Sequence, residues 1–240
     1  MNPKMILFDY GGTLVCDPTY NMSEGNSAIF PYITENPYNV TKEEFADYIK
    51  ELFDEIKALR GEYIELHEHI FLRYVLEHFG IKLSISIEEA EWIICTTLAK
   101  NVATPNAAEM LAELRKMGIR TGIVSNLCWS GNALTRAMGE VFPEHEFEFI
   151  MTSSEYIFRK PDYHFFDLAI RKSGLKAEEI WFCGNVIDID IIGAKNVGMF
   201  PVFYDNQDIP DRFRPLNDIN KIDFPCHHIG GWGELIELIK

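Results

Sequence analysis

The chain reads as an α/β protein: a doubly wound, Rossmann-like parallel sheet with a small all-helical domain inserted after the first strand. Three observations predict this. Short apolar runs rich in Ile, Val, Phe and Trp recur along the chain and suit strands covered on both faces. Segments of helical period separate them, and glycines (Gly118, Gly174, Gly198) stand where those helices should end. One stretch, from about Asp17 to Asn101, breaks the alternation and is helical in pattern.

Taken in order, Met5–Phe8 is the first strand. A loop, PTYNMSEGNSAIFPYITENPYN, then leads to three helices. Thr41 with Glu44 makes a capping box, after which Phe45, Ile49, Leu52, Phe53, Ile56 and Leu59 fall on one face. Tyr63, Ile70, Phe71, Tyr74 and Val75 form a second stripe, and Ser86 with Glu89 opens a third helix carrying Ala90, Ile94 and Leu98. The alternation then resumes with a helix over Ala107–Met117 and a strand ending at Ser125 that begins at Gly122. A strand over Phe147–Met151, a helix over Tyr163–Lys172 and a strand over Ile180–Cys183 follow. A helix from Asp190 to Asn196, a strand over Phe200–Tyr204 and a closing helix in GWGELIELIK complete the set. Residues 1–16 and 101–240 are therefore assigned to the α/β core and 17–100 to the helical insertion.

Composition excludes several classes. The 240 residues carry a net charge of −15, which disfavours binding to nucleic acid or to anionic membranes. No apolar run approaches the roughly 18 residues of a membrane span, and the N-terminus lacks a signal-peptide pattern. Cys16, Cys95, Cys128, Cys183 and Cys226 show no paired spacing, as expected of reduced thiols in the cytoplasm.

Four short patterns fall where doubly wound sheets bind ligands, at the carboxyl ends of strands. In ILFDYGGTLV, Asp9 follows an apolar run and precedes Gly11, Gly12 and Thr13, so its carboxylate suits a nucleophile; a helix-capping aspartate is as consistent with the local pattern. In GIVSN, the Ser125 hydroxyl can hold an anionic oxygen, or simply close a turn. In FRKPDYHFF, Lys160 can pair with a phosphate or a carboxylate, or be a solvated lysine. In IWFCGNVIDIDIIGA, Asp188 and Asp190 follow a Gly-Asn turn, where an acid also favours the start of a helix.

Together, in this order and spacing, the four patterns resemble the haloacid dehalogenase (HAD) superfamily. Asp9-Tyr10-Gly11-Gly12-Thr13-Leu14 matches its first motif, Asp-x-Asp-Gly-Thr-Leu, except at Gly11. Ser125-Asn126 matches the second motif and Lys160-Pro161 the third. Gly184-Asn185, Asp190 and Gly193-Ala194 follow the fourth, except that Asn185 replaces its first acid. The helical insertion lies where this family places a cap. The resemblance implies a phosphatase of small phosphorylated metabolites in which Asp9 forms an aspartyl-phosphate. It implies Mg²⁺ held by Asp9, the Gly11 carbonyl, Asn185 and Asp190. It further implies phosphate binding by Ser125, Asn126, Gly12 and Lys160, and bracing of the loop by Thr13.

The two departures qualify that expectation. A positioned acid–base contributes roughly 10²–10⁴ in rate, and the family's second aspartate is here Gly11. Tyr10 should point away from the nucleophile, and His67 and His78 fall on an apolar stripe that predicts burial. His69, on the other face, is the best-placed substitute acid. Cys226, His227 and His228 read as a chance cluster, and Trp129 as a pocket or a core residue. Two alternative functions fit the same sequence. One is a ligand-binding member without turnover. The other is a metal-independent 2-haloacid dehalogenase-like enzyme, for which Arg60 and Arg73 are the candidate carboxylate-binding residues.

Overall fold

The computed structural model describes residues 2–19 and 21–240. Its centre is a sheet of six strands: β1 (Met5–Phe8), β2 (Arg120–Ser125), β3 (Phe147–Thr152), β4 (Ile180–Gly184), β5 (Phe200–Tyr204) and β6 (His227–Ile229). They run parallel in the order β6-β5-β4-β1-β2-β3. The order reverses on either side of β1, and a doubly wound sheet opens its ligand crevice at such a point. Met5 pairs with Arg120 and Ile180, and Phe8 with Ile123 and Cys183. That register brings the carboxyl ends of β1, β2 and β4 side by side.

Nine α-helices complete the described residues: α1 (Met22–Ser27), α2 (Lys42–Arg60), α3 (Glu68–His78), α4 (Ile87–Leu98), α5 (Ala107–Lys116), α6 (Gly131–Val141), α7 (Tyr163–Ser173), α8 (Ile192–Asn196) and α9 (Trp232–Ile239). Alternate residues of the buried strands feed opposite faces of the sheet. Ile6 and Phe8 join α5, α6 and α9 in one core, while Met5 and Leu7 join Phe165, Phe166 and Ala169 of α7 in the other. Helices α2, α3 and α4 close a third core around Phe45, Ile49, Phe71, Leu72, Val75, Ala90 and Ile94. The chain leaves and re-enters the α/β body through one short antiparallel ladder, Val15–Cys16 against Val102–Ala103.

The caps expected of the helical insertion form. Thr41 and Glu44 hydrogen-bond reciprocally, and the Ser86 hydroxyl accepts from the Glu89 amide at 3.2 Å. Four expectations fail. The loop after Asp17 contains α1, capped by Asn21, whose side chain accepts from the Glu24 amide at 3.2 Å. Leu59, Ile70 and Tyr74 are exposed, because the packed face of each helix is narrower than its apolar stripe, and Tyr63 is exposed in the turn between α2 and α3. His78 is exposed and stacks on Tyr48, while half-buried His67 caps α3 by accepting from the His69 amide. The run from Ile187 to Ile191 is a π turn that precedes α8, so the helix expected from Asp190 begins differently. Helix α6 and the edge strand β6 were not anticipated, and His227 and His228 belong to that strand.

Candidate active site

Asp9 leaves the end of β1 beside β2 and β4, so the residues after three parallel strands meet over its carboxylate. Its amide donates to the Cys183 carbonyl at 2.9 Å, which extends the pairing by one residue and fixes the side chain at the sheet's edge. Lys160 arrives from the loop before α7. Its ammonium donates to Asp9 Oδ1 at 2.6 Å and to Asp190 Oδ1 at 2.7 Å, and lies 5.0 Å from the centre of the Phe182 ring. Burial pulls the pKa of Lys160 down, but the charges of Asp190 and Asp9 outweigh it and hold the group above its ordinary value. Burial pushes Asp190 up to about 6 against the opposing pull of Lys160, with Asp9 adding to the rise.

Neighbouring residues lock this triad. Asn126 accepts from the Lys160 amide at 2.7 Å and donates to the Lys160 carbonyl at 2.8 Å, so its amide clamps the lysine's backbone. Asp190 Oδ2 accepts from the Val186 amide at 3.0 Å, leaving neither oxygen of this carboxylate without a partner. A Cβ on Gly184 would come within 2.4 Å of the Asp190 side chain, so the close approach requires glycine there. Thr13 donates weakly toward Asp9 Oδ2 (3.4 Å) and Asn185 Oδ1 (3.3 Å), and its carbonyl accepts from Thr104 Oγ1 at 2.8 Å. Gly12 has φ of 79°, and an added Cβ would stand 2.4 Å from Asn185 Nδ2.

Several sequence expectations change here. The Gly12 amide donates to the Val15 carbonyl at 2.7 Å, and Asn126 spends its side chain on Lys160, so neither offers those groups to a phosphate. Asp190, expected among the metal ligands, accepts a hydrogen bond from Lys160 through Oδ1 and one from the Val186 amide through Oδ2. Asp188 is exposed and paired with Lys221. His69 bonds to Glu91 at 2.8 Å and lies outside the cavity wall. Arg60 is held by Glu65 and Arg73 is exposed, so neither reaches the cavity. Ser125 does line it, as does Trp129, which also packs against Cys95, Leu98 and Ala133. Tyr10 packs in the core beneath β1, and burial pushes its phenol well above the ordinary tyrosine range.

The cavity encloses about 390 Å³ between the sheet and the inserted helices. Asp9, Lys160, Asn185 and Ser125 form part of its floor; Ile49, Phe53, Phe71, Ile94 and Leu98 supply an apolar roof. Arg159 and Glu68 are among the lining residues that the sequence did not single out. Arg159 reaches the wall while its guanidinium bonds to Glu65, which also binds Arg60 and accepts from Ser153 Oγ at 2.8 Å. Glu68, the first residue of α3, presents an acid from the roof. Neither belongs to a recognisable motif, and only the packing of the helices on the core brings them in.

The donor set admits a divalent cation without building a full cage for it. Among the described residues no cluster of three or more His, Cys, Asp and Glu is arranged for a metal. Yet Asp9 Oδ2 and Asn185 Oδ1 converge on the same Thr13 hydroxyl, and the buried charges are two carboxylates against one ammonium. That leaves a net negative site, which repels a phosphate dianion until further positive charge enters. One carboxylate oxygen, a neutral amide oxygen and substrate oxygens suit Mg²⁺, which typically retains water and binds through only one or two carboxylates.

A model of the haloacid dehalogenase-like hydrolases matches residues 3–198. The chain belongs to that family. Among its relatives is the ribulose-1,5-bisphosphate 5-phosphatase of Halopiger xanaduensis, 26% identical over 98% of each chain. The glyceraldehyde 3-phosphate phosphatase of Methanopyrus kandleri is 28% identical, over 99% of this chain and 97% of the relative. The crystal structure of a HAD phosphatase from Thermococcus onnurineus superposes with a TM-score of 0.60 at 19% identity, covering 98% of this chain and 97% of that one. In this HAD hydrolase the loop after β1 carries Gly11. A Cβ at Gly11 would meet only the Phe213 ring, at 3.8 Å, so glycine is not sterically required there.

Proposed function

We propose that this HAD hydrolase is a Mg²⁺-dependent phosphatase of small phosphorylated metabolites that works through an aspartyl-phosphate on Asp9. The observation that carries this reading is the Asp9–Lys160–Asp190 triad at the floor of the cavity. Lys160 holds one Asp9 oxygen in place, so the carboxylate stays oriented. Asp190 and Asn126 position the lysine from its two ends. Ser125 lies where a hydroxyl can donate to a phosphoryl oxygen. The ion would sit by Asp9 Oδ2, Asn185 Oδ1 and the Gly11 carbonyl, and when bound it neutralises charge on the phosphoryl group. Residues 17–100 act as the cap, whose apolar roof excludes water and selects the organic part of the substrate. A cavity of this size suits a metabolite of a few carbons. Both curated relatives named above are phosphatases of phosphorylated sugars, which supports the same class.

The test is phosphate release from a panel of sugar, acyl and aryl phosphates, with Mg²⁺ and with chelator, alongside chloride release from 2-chloropropionate. Phosphate release that needs both Mg²⁺ and an intact Asp9 is expected, and Asp9→Asn should abolish it while leaving the fold unchanged. Full activity in Asp9→Asn, or chloride release without metal, would overturn the reading.

A further inference from the structure

The cavity contains an acid that the family motifs do not account for. A phosphatase must give a proton to an alkoxide leaving group and later take one from water. Gly11 can do neither. Tyr10 is too weak an acid, and His69 is bonded to Glu91 away from the cavity. The carboxylates that line the cavity are Asp9, Asp17, Glu68 and Asp190. Asp9 is the nucleophile. Asp190 is spent on Lys160 and the Val186 amide. Asp17 pairs with Arg212 at 3.2 Å and accepts from the Thr19 amide at 2.7 Å. Glu68 is left.

We propose that Glu68, on the cap, is the general acid–base of this site and takes over the work of the aspartate missing at position 11; the proposal rests on the phosphatase reading above. Its placement is built rather than incidental. The Glu68 amide donates to the Cys128 carbonyl at 2.9 Å, which seats the start of α3 on the loop that follows Ser125. Three residues earlier in the chain, the Glu65 amide donates to the Ile157 carbonyl at 2.6 Å, and Ile64 bridges Phe158 on the segment leading to Lys160. The residues just before and at the start of α3 are thus bonded to both loops that present Ser125 and Lys160. Glu68, which lines the same cavity, is consequently held in register with them.

The environment suits the role. Burial pushes the Glu68 carboxyl up to about 7, the charge of Glu91 adds to the rise, and a contact with the Cys128 side chain opposes it. The other titratable groups around it are Cys95 and Glu91 on α4, Cys128, and Glu65 with its two arginines beyond the thiol. His67 and His69 flank it in sequence. A group near 7 can donate and accept protons at neutral pH.

In the first step an Asp9 oxygen forms a bond to phosphorus. The bond to the leaving oxygen breaks with its electron pair, and that oxygen takes the Glu68 proton. In the second step the Glu68 carboxylate removes a proton from water as the water oxygen bonds to phosphorus. The Asp9–phosphorus bond breaks with its pair returning to Asp9, releasing inorganic phosphate and a protonated Glu68.

Leaving-group dependence tests this. Steady-state rates with 4-nitrophenyl phosphate, whose leaving group needs little protonation, and with glycerol phosphate would be compared in wild type, Glu68→Gln and Glu68→Gln/Gly11→Asp. Glu68→Gln should lower kcat/KM for glycerol phosphate by about 10²-fold or more and that for 4-nitrophenyl phosphate by less than about 3-fold. The double variant should recover at least about tenfold on glycerol phosphate, which a merely structural role would not allow. Acid-quenched mass spectrometry should show Glu68→Gln accumulating a phosphoryl group during turnover. Equal losses on both substrates, or no loss on either, would overturn the role of Glu68 while leaving the phosphatase reading intact. A wild-type protein inactive on both, or an Asp9→Asn variant as active as wild type, would overturn the phosphatase reading itself.

Discussion

Replacing Lys160 by methionine keeps the stem's volume and removes the one charge that separates Asp9 from Asp190. The ammonium bonds both carboxylates, at 2.6 and 2.7 Å, so the two acceptor oxygens are at most about 5 Å apart. At an effective dielectric near 20, like charges at that distance repel by roughly 3 kcal/mol, equivalent to about two pKa units. Burial already holds the Asp190 carboxyl above its ordinary value, and in the variant it should rise further and take up a proton at neutral pH. Removing one member of a buried ionic cluster typically costs about 3–5 kcal/mol, and neutralisation of Asp190 should recover part of it. The sign of the pH dependence follows. A carboxyl whose folded pKa lies above its unfolded value binds more protons when folded, so stability falls as pH rises from the unfolded value towards the folded one. Urea unfolding of Lys160→Met should therefore show its greatest deficit near pH 8 and a clearly smaller one near pH 5, with phosphatase activity lost throughout. A deficit below about 1 kcal/mol that does not change with pH would show that the lysine does not hold the two acids together.

Further outcomes follow from the same geometry. Gly12→Ala, forced to φ of 79° with its Cβ on Asn185, should lose about 1–3 kcal/mol in denaturant melts and most of its activity. Gly11→Asp, whose Cβ meets only the Phe213 ring, should melt within about 1 kcal/mol of wild type. Asn185→Asp gives up the hydrogen bond from Nδ2 to the Phe213 carbonyl and sets a carboxylate against that oxygen. Thermal melts should show this variant destabilised in chelator and stabilised by millimolar Mg²⁺ more than wild type is; an identical response to Mg²⁺ in both would argue against Asn185 as part of the cation site.

The α/β core was legible because its strands are buried on both faces and therefore read as continuous apolar runs, Met5–Phe8 and Ile180–Gly184 above all. Asp9 and Ser125 were legible because parallel strands deliver their carboxyl ends to one crevice, and Lys160 from its place just before Pro161 and α7. The internal bonds of the Asn126 side chain and the Gly12 amide were not legible, since a motif position does not reveal whether a polar group is already paired within the protein. The helical insertion was legible as helices but not as a surface. Leu59 and Ile70 sit on apolar stripes and yet are exposed, whereas Glu68 is polar and lines the cavity. His69 and Glu68 are adjacent, so choosing between them required the rotation of α3 about its axis, which periodicity fixes only to within a residue.

Asn185 links the two departures from the family pattern. As a carboxylate it would add charge for a cation; as an amide it donates to the Phe213 carbonyl at 2.8 Å. Asn217 in turn donates to the Asn185 carbonyl at 2.9 Å and accepts from the Ile187 amide at 2.8 Å. Arg212, one residue before Phe213, pairs with Asp17. The segment after β5 is thereby drawn over the first-motif loop, and the Phe213 ring comes to stand beside Gly11, where an aspartate would carry its side chain. An apolar ring in that position would desolvate a carboxyl at position 11 and disfavour its charged form. An acid presented from the cap avoids that neighbour. Its backbone bond to the Cys128 carbonyl ties its position to the seating of α3 on that loop. A neutral amide at position 185 and a glycine at position 11 are then consistent with a single arrangement, in which the segment after β5 closes one side of the site and the cap supplies its proton.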